Sequence, residues 1–300
     1  MSTAPAFLGA DRALGRDDRS EIGLRAALAA ARARLVLVGA LLALAGLAWW
    51  WTAERMDGMD AGPGTDLGGF GWFVGVWVVM MAAMMFPAVA PTIALYSRMT
   101  RARGLLRASL FAGSYLLVWA LAGIGAYAVY RLGRSVLGHD LAWQRGGRWA
   151  AAGVLALAAV YESTPLKEAC LHKCRTPLGF LVGSWRDGAR GAVELGARNA
   201  AWCFGCCWAL MAALFALGVM SVAWMAFVAA LITLEKTLPW RRVVLGGTTA
   251  LLLALAVLVA LAPSSVPALT VPGSARARQA VHAMGMGMSD GRHKQRMGMH

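Results

Sequence analysis

Apolar residues in this chain occur in long blocks rather than in alternation with polar residues. A helix that crosses a bilayer needs about 20 apolar residues, whereas the strands of an outer-membrane barrel alternate. Seven blocks approach that length, at 35–51, 70–96, 109–130, 148–162, 201–220, 221–238 and 243–262. The pattern predicts an all-α, polytopic helical membrane bundle of about seven transmembrane helices.

Composition excludes the other broad classes of protein. Hydrophobic residues make up 59% of the 300 residues and charged residues 15%, and the mean hydropathy is +0.58. A soluble domain has about 25% charged residues, and a disordered chain is far less apolar. We therefore predict a cytoplasmic N-terminal segment at 1–34, a transmembrane domain at 35–262 and an extracytoplasmic tail at 263–300.

The distribution of basic residues predicts the orientation. The net charge of +14 could indicate a nucleic-acid partner, but the basic residues are interleaved with the apolar blocks. With the N-terminus inside, the cytoplasmic segments carry 19 Lys and Arg and the external loops carry 5. Cytoplasmic loops of membrane proteins carry the excess of basic residues. We therefore expect the N-terminus inside, the C-terminus outside, the lipid bilayer as partner and no nucleic acid.

Five cysteines lie close to one end of the fifth block. Thr164 and Pro165 are typical of a helix start, and a helix from Pro165 places Cys170 and Cys174 on one face. Cys203 has cysteines three and four residues later, at Cys206 and Cys207. Two helices that each present thiols predict a thiolate site, and thiolates select soft ions such as Cu(I) and also suit zinc. The alternative is that these cysteines are small buried hydrophobic residues.

Methionines form two further groups. Four of them, Met80, Met81, Met84 and Met85, fall near the middle of the second block, before two prolines at Pro87 and Pro91. Thioethers bind Cu(I), and prolines free backbone carbonyls as in the broken helices of transporters. The alternative is adaptable core packing with a kink.

The tail is of low complexity and contains only Met, Gly, His and polar residues over long stretches. Such a segment cannot form a core, so we expect it to be disordered and its Met and His residues to collect a soft metal. The candidate ligands are His282, Met284, Met286, Met288, Met297, Met299 and His300.

A string of motifs identifies a resemblance. Its parts are Thr164-Pro165-Leu166-Lys167, Cys170-Leu171, Cys174-Arg175, Cys203-Phe204-Gly205-Cys206-Cys207-Trp208, Leu234-Glu235-Lys236 and the Met80–Pro87 stretch. Together they resemble a bacterial family of domains of unknown function described as predicted metal-binding integral membrane proteins. The resemblance covers roughly residues 70–239. It implies a multi-pass protein of the bacterial inner membrane with a metal site.

These observations lead to three hypotheses. The first is a soft-metal protein for Cu(I) rather than zinc, acting in transport or delivery with a metallochaperone or membrane-complex partner. It places the ligands in order, with Met and His outside, Met mid-membrane and Cys inside. The second is a membrane thiol–disulfide oxidoreductase, and the third is a non-catalytic accessory subunit of a membrane complex. No triad or paired-carboxylate pattern indicates a catalytic site, so an enzyme is not favoured. The Glu235-Lys236 pair is interpreted as reaching the lipid headgroups.

Overall fold

The protein is helical throughout the part that the structure describes. This structure, a computed structural model, describes residues 32, 35–56, 63, 67–100, 104–137, 143–219, 221–272, 274–275, 277–279 and 282. Nine α-helices lie within those residues. They are α1 Leu35–Met56, α2 Phe70–Met99, α3 Gly104–Leu137, α4 Arg148–Glu162, α5 Pro165–Arg175, α6 Pro177–Gly183, α7 Gly188–Leu217, α8 Val222–Thr237 and α9 Arg241–Leu261.

Five of these helices are long and apolar enough to cross a bilayer, namely α1, α2, α3, α7 and α9. The predicted fourth and sixth spans are also helical, as α4 and α8, but these have only 15 and 16 residues. At about 1.5 Å per residue they measure about 22–24 Å, against a hydrocarbon core of about 30 Å.

The helices on either side of α7 run in opposite directions. Along α2 and α7, ring contacts join Trp77 to Phe215 and Tyr96 to Trp185, so the two helices are antiparallel. Along α3 and α7, by contrast, the contact at Gly196 involves Phe111 and that at Phe204 involves Trp119, so these helices are parallel. α7 therefore lies between partners of both directions and forms the centre of the bundle.

One sequence expectation about a helix boundary is wrong. The helix predicted to start at residue 201 starts at Gly188, because the polar stretch before the apolar block is also helical. Its polar part carries Arg198 and Glu194, whose side chains form an i,i+4 ion pair. Pro87 and Pro91 lie inside α2, which continues through both to Met99 as the single span predicted there requires. The three cysteines of α7 thus lie where a continuous helix changes from polar to apolar.

Close packing of α3 on α7 depends on Gly196. A Cβ atom at this position would overlap the carbonyl oxygen of Phe111 and the hydroxyl of Ser114. Backbone atoms cannot move aside as a flexible side chain can, so the helix axes would have to separate. Small residues permit such close approach between membrane helices.

We therefore expect Gly196→Ala to destabilise the protein by about 1–3 kcal/mol, the usual cost of overpacking. The control is Gly113→Ala on α3, where a Cβ would meet nothing within 4 Å. Alanine there should be neutral or stabilising by up to ~1 kcal/mol, because it has the higher helix propensity. Thermal unfolding in detergent measures both changes, and equal melting temperatures for the two variants would contradict the packing argument.

Candidate metal centre

The first pair of thiols is placed by a short capped helix. As predicted, α5 starts at Pro165, and the Thr164 hydroxyl accepts a hydrogen bond from the backbone N–H of Lys167 at 3.3 Å. Cap and proline together set where the helix begins, and therefore which face carries Cys170 and Cys174. That face packs against α7. Cys170 is buried there and Cys174 is half-buried.

The second set of thiols lies on one face of α7. The sulfur atoms of Cys203, Cys206 and Cys207 all lie within 4.8 Å of one another, and all three residues are buried. The Cys206 and Cys207 thiols each donate to the backbone carbonyl of Cys203, at 3.1 and 2.9 Å. The spacing of three and four residues therefore gathers three potential ligands on one turn and a half of helix.

α5 and α7 bring the two sets together. The Sγ atoms of Cys174 and Cys206 are 3.7 Å apart. One turn earlier on α5, the Cys170 sulfur lies against Gly205, where an added Cβ would be 2.7 Å from it. The absence of a side chain at Gly205 thus lets the helices approach closely enough for their thiols to meet.

A methionine of α2 completes this group of sulfur atoms. The Sδ atom of Met85 lies 3.9 Å from the Sγ atom of Cys203. The other three predicted methionines, Met80, Met81 and Met84, are buried in the core. The order predicted from the sequence, with methionines at one level and cysteines at another, is wrong for Met85. We call Met85, Cys174, Cys203, Cys206 and Cys207 the sulfur cluster.

Two hydrogen-bond donors that the sequence did not assign to the site meet the Cys203 sulfur. The Tyr115 hydroxyl of α3 donates to it at 3.0 Å, and the Lys236 ammonium of α8 donates at 3.1 Å. The interpretation of Lys236 as a headgroup anchor is therefore wrong, because its ammonium turns inward. A sulfur that accepts from an ammonium and a phenol is stabilised in its charged form. Cys203 is thus the most thiolate-like sulfur of the cluster.

A small polar cavity adjoins the cluster. Its volume is about 10 Å³, close to the room one water molecule needs. The residues around it are Ala88, Val89, Thr92, Tyr115, Cys174, Asn199, Cys203 and Lys236. The buried amide of Asn199 and hydroxyl of Thr92 give this cavity a polar wall in an otherwise apolar bundle.

Hydrogen bonds and burial keep the thiols of α5 protonated. Burial raises the pKa of Cys170. Hydrogen bonds with Cys203 and Cys206, together with burial, raise the pKa of Cys174 well above its usual range. A metal that binds these thiols must displace their protons, because the thiolate is the ligand.

The tail ligands cannot be placed in the same way. His282 is exposed. The remaining tail candidates, Met284, Met286, Met288, Met297, Met299 and His300, lie outside the described residues.

Comparison with known proteins gives one match. A family model described as PpoB2, copper chaperone, matches residues 74–259, a segment that runs from α2 into α9 and includes the whole sulfur cluster. No curated protein and no solved structure matches the chain. The family match supports the metal-handling role that the sequence resemblance implied.

The contact between α5 and α7 can be tested by trapping it. In a chain with Ser at residues 170, 203 and 207, mild oxidation should join Cys174 to Cys206. Their sulfurs are 3.7 Å apart, so small side-chain rotations bring them to the bond length of about 2.05 Å. Proteolysis followed by mass spectrometry, with and without reductant, detects the bridge. The same chain with Cys206→Ser is the control, and two thiols that stay free under the oxidant would contradict the contact.

Proposed function

This chain belongs to the PpoB2 family of copper chaperones, and from this we propose that it is an integral membrane protein that binds Cu(I) in the sulfur cluster and delivers it to an acceptor protein. The carrying observation is the meeting of sulfur atoms from three helices: the Met85 sulfur of α2 lies 3.9 Å from that of Cys203 on α7, and the Cys174 sulfur of α5 lies 3.7 Å from that of Cys206 on α7. Cu(I) is the cargo of this site and not a resident cofactor.

The chemistry of the sulfur atoms favours Cu(I) over zinc. Structural zinc sites use thiolates, imidazoles and carboxylates, whereas a thioether is a soft ligand that suits Cu(I). A thioether is also neutral, so its burial adds no charge. We propose that two thiolates at a time bind the ion, drawn from Cys203, Cys206, Cys207 and Cys174, with Met85 as the thioether ligand and Cys170 beside them.

Lys236 balances the charge of the loaded site. A Cu(I) ion held by two thiolates carries one net negative charge, which is costly inside an apolar bundle. The Lys236 ammonium, 3.1 Å from the Cys203 sulfur, compensates that charge. This arrangement suits a monovalent ion bound by few thiolates, which leaves the other sulfurs free to take the ion during transfer.

We further propose seven spans, with the N-terminus inside and the C-terminus outside a bacterial inner membrane. Support comes from helix directions, because α3 and α7 are parallel, as is expected if α4 crosses between them. The predicted alternation likewise makes α2 and α7 antiparallel, in agreement with their ring contacts. The external tail would then collect copper on the side opposite the cysteines.

A membrane thiol–disulfide oxidoreductase is the second candidate function. The approach of Cys174 to Cys206 favours it, since such a pair could cycle between dithiol and disulfide. Thiol trapping in growing cells separates the two functions. Thiols that remain reduced with and without copper support delivery, whereas a substantial oxidised fraction supports redox cycling.

Competition with a chromogenic Cu(I) chelator tests the proposed ligands on the purified full-length protein. Loss of even an indirect partner of a metal ligand costs about 10- to 100-fold in affinity, so Cys203→Ser should cost at least about 100-fold and Met85→Leu about 10-fold. The matched control is Met225→Leu, which alters a fully buried methionine of α8 outside the cluster. Equal affinities for Met85→Leu and Met225→Leu would remove the thioether from the site.

Deletion of residues 282–300 tests the role of the tail. The tail is too polar and Gly-rich to pack as part of a core, so the truncated protein should accumulate in membranes as the full chain does. Copper uptake from dilute solution should fall, while the affinity measured for the sulfur cluster should not change. Metal analysis of purified membranes gives the first quantity, and unchanged uptake would show that the tail collects no copper.

A further inference from the structure

Three buried charges lie beside the sulfur cluster and take no part in it. Lys167 of α5 is completely buried, and its ammonium is 2.8 Å from a carboxylate oxygen of Glu162 on α4 and 2.8 Å from one of Glu235 on α8. The exposed fractions of Glu162 and Glu235 are 1% and 3%. Three helices thus each contribute one charge to a site closed to solvent on nearly every side.

The charges in this group do not balance. Two carboxylates and one ammonium leave one negative charge in an apolar interior, where an uncompensated charge costs several kcal/mol. Burial alone lowers the pKa of Lys167, but Glu235 and Glu162 outweigh burial and the pKa is raised. The ammonium therefore stays charged, and the missing positive charge has to be supplied at the carboxylates.

The two carboxyl groups show where that charge belongs. A carboxylate oxygen of each lies 2.8 Å from the same Lys167 ammonium, so the two carboxyl groups are close neighbours. Two ionised carboxylates only accept hydrogen bonds and repel one another, whereas one proton between them makes a hydrogen bond and restores neutrality. The buried Oε1 of Glu235 has no hydrogen-bond partner among the described residues, so this oxygen is available to bind that proton.

An open groove adjoins Glu162, one of the two carboxyl residues. It has a volume of about 360 Å³ and reaches Glu162 between α4, α5 and α9. Its walls are formed by Glu162, Ser163, Glu168, Arg242, Leu245, Gly246, Thr249, Ala250 and Leu253. The polar residues among them favour water in the groove beside Glu162.

The charged groups around the pair do not supply the missing charge. From α5 these are Lys167, already counted, and Glu168, which adds negative charge to the groove. From α8, Lys236 is directed to Cys203. Arg242 of α9 lines the groove, but among the described residues the ion pairs of Glu162 and Glu235 are with Lys167. At this level α7 meets α4 through the backbone of Gly205 and the ring of Trp208, which carry no charge.

We propose that Glu162 and Glu235 form a proton-binding site in which the two carboxyl groups share one proton next to Lys167 and exchange it with water through the groove between α4 and α9. The proton comes from water at the groove and returns there, so no other reactant is needed. The site stands on these contacts alone and does not depend on copper binding.

Infrared spectroscopy of the full-length protein in detergent tests the proposal. Exposed carboxyl groups are ionised at neutral pH, so a C=O stretching band of a protonated carboxylic acid reports a buried one. The wild-type protein should show this band at neutral pH, and it should shift in deuterated water. Glu162→Gln and Glu235→Gln should each abolish it. Either variant leaves a single carboxylate, whose charge is balanced by the Lys167 ammonium, so that no proton has to bind. The control Glu168→Gln, in the wall of the groove, should retain it.

Loss of the band in both variants with retention in the control is the expected result. Absence of the band from the wild-type protein would overturn the proposal, and so would its persistence in both variants. Thermal unfolding of the same samples in detergent shows that the variants are folded. If one variant fails to accumulate, the wild-type spectrum and the other variant still decide the question.

Discussion

The Cys203 sulfur is the atom on which the arrangement of the bundle converges. It belongs to α7 and is met by Met85 from α2, Tyr115 from α3 and Lys236 from α8. α5 joins through Cys174, which contacts Cys206 on the same turn of α7. An apolar bundle has few polar contacts to specify which helices meet at which level. This one sulfur supplies several of them, so the directions and heights of four helices are set together with the geometry of the site.

Local patterns were enough to predict that the thiols of two helices form one site, but not which residues of α2, α3 and α8 join them. The spacing of the cysteines predicted two thiol faces, and Thr164 and Pro165 predicted the start of α5, because helix periodicity and capping act over a few residues. Met85 could not be distinguished from its three neighbours, since all four fill the same apolar helix. Only the packing of α2 against α7 selects the one that reaches Cys203.

The residues that sequence reasoning missed are those that act singly. Tyr115 is one aromatic residue in a long apolar helix, and no periodic sequence pattern around it marks it as part of a site. Lys236 lies at a helix end, where a lysine usually extends toward water. Its inward turn depends on the position of Cys203 on another helix, which local sequence does not contain. The start of α7 was missed for a related reason, because a search for apolar length passes over a polar helical segment.

The last turn of α8 contributes a residue to the group of buried charges and a residue that contacts the sulfur cluster. Glu235 and Lys236 are adjacent, yet one contacts Lys167 on α5 and the other contacts Cys203 on α7. Successive residues of a helix point about 100° apart, so the two contacts together fix the rotation of α8 against both neighbours. α5 is held in the same way, by Lys167 at one site and by Cys174 one and a half to two turns later at the other. A change in occupancy of one site therefore bears on helices that also form the second, and substitutions in the two sites should not add independently.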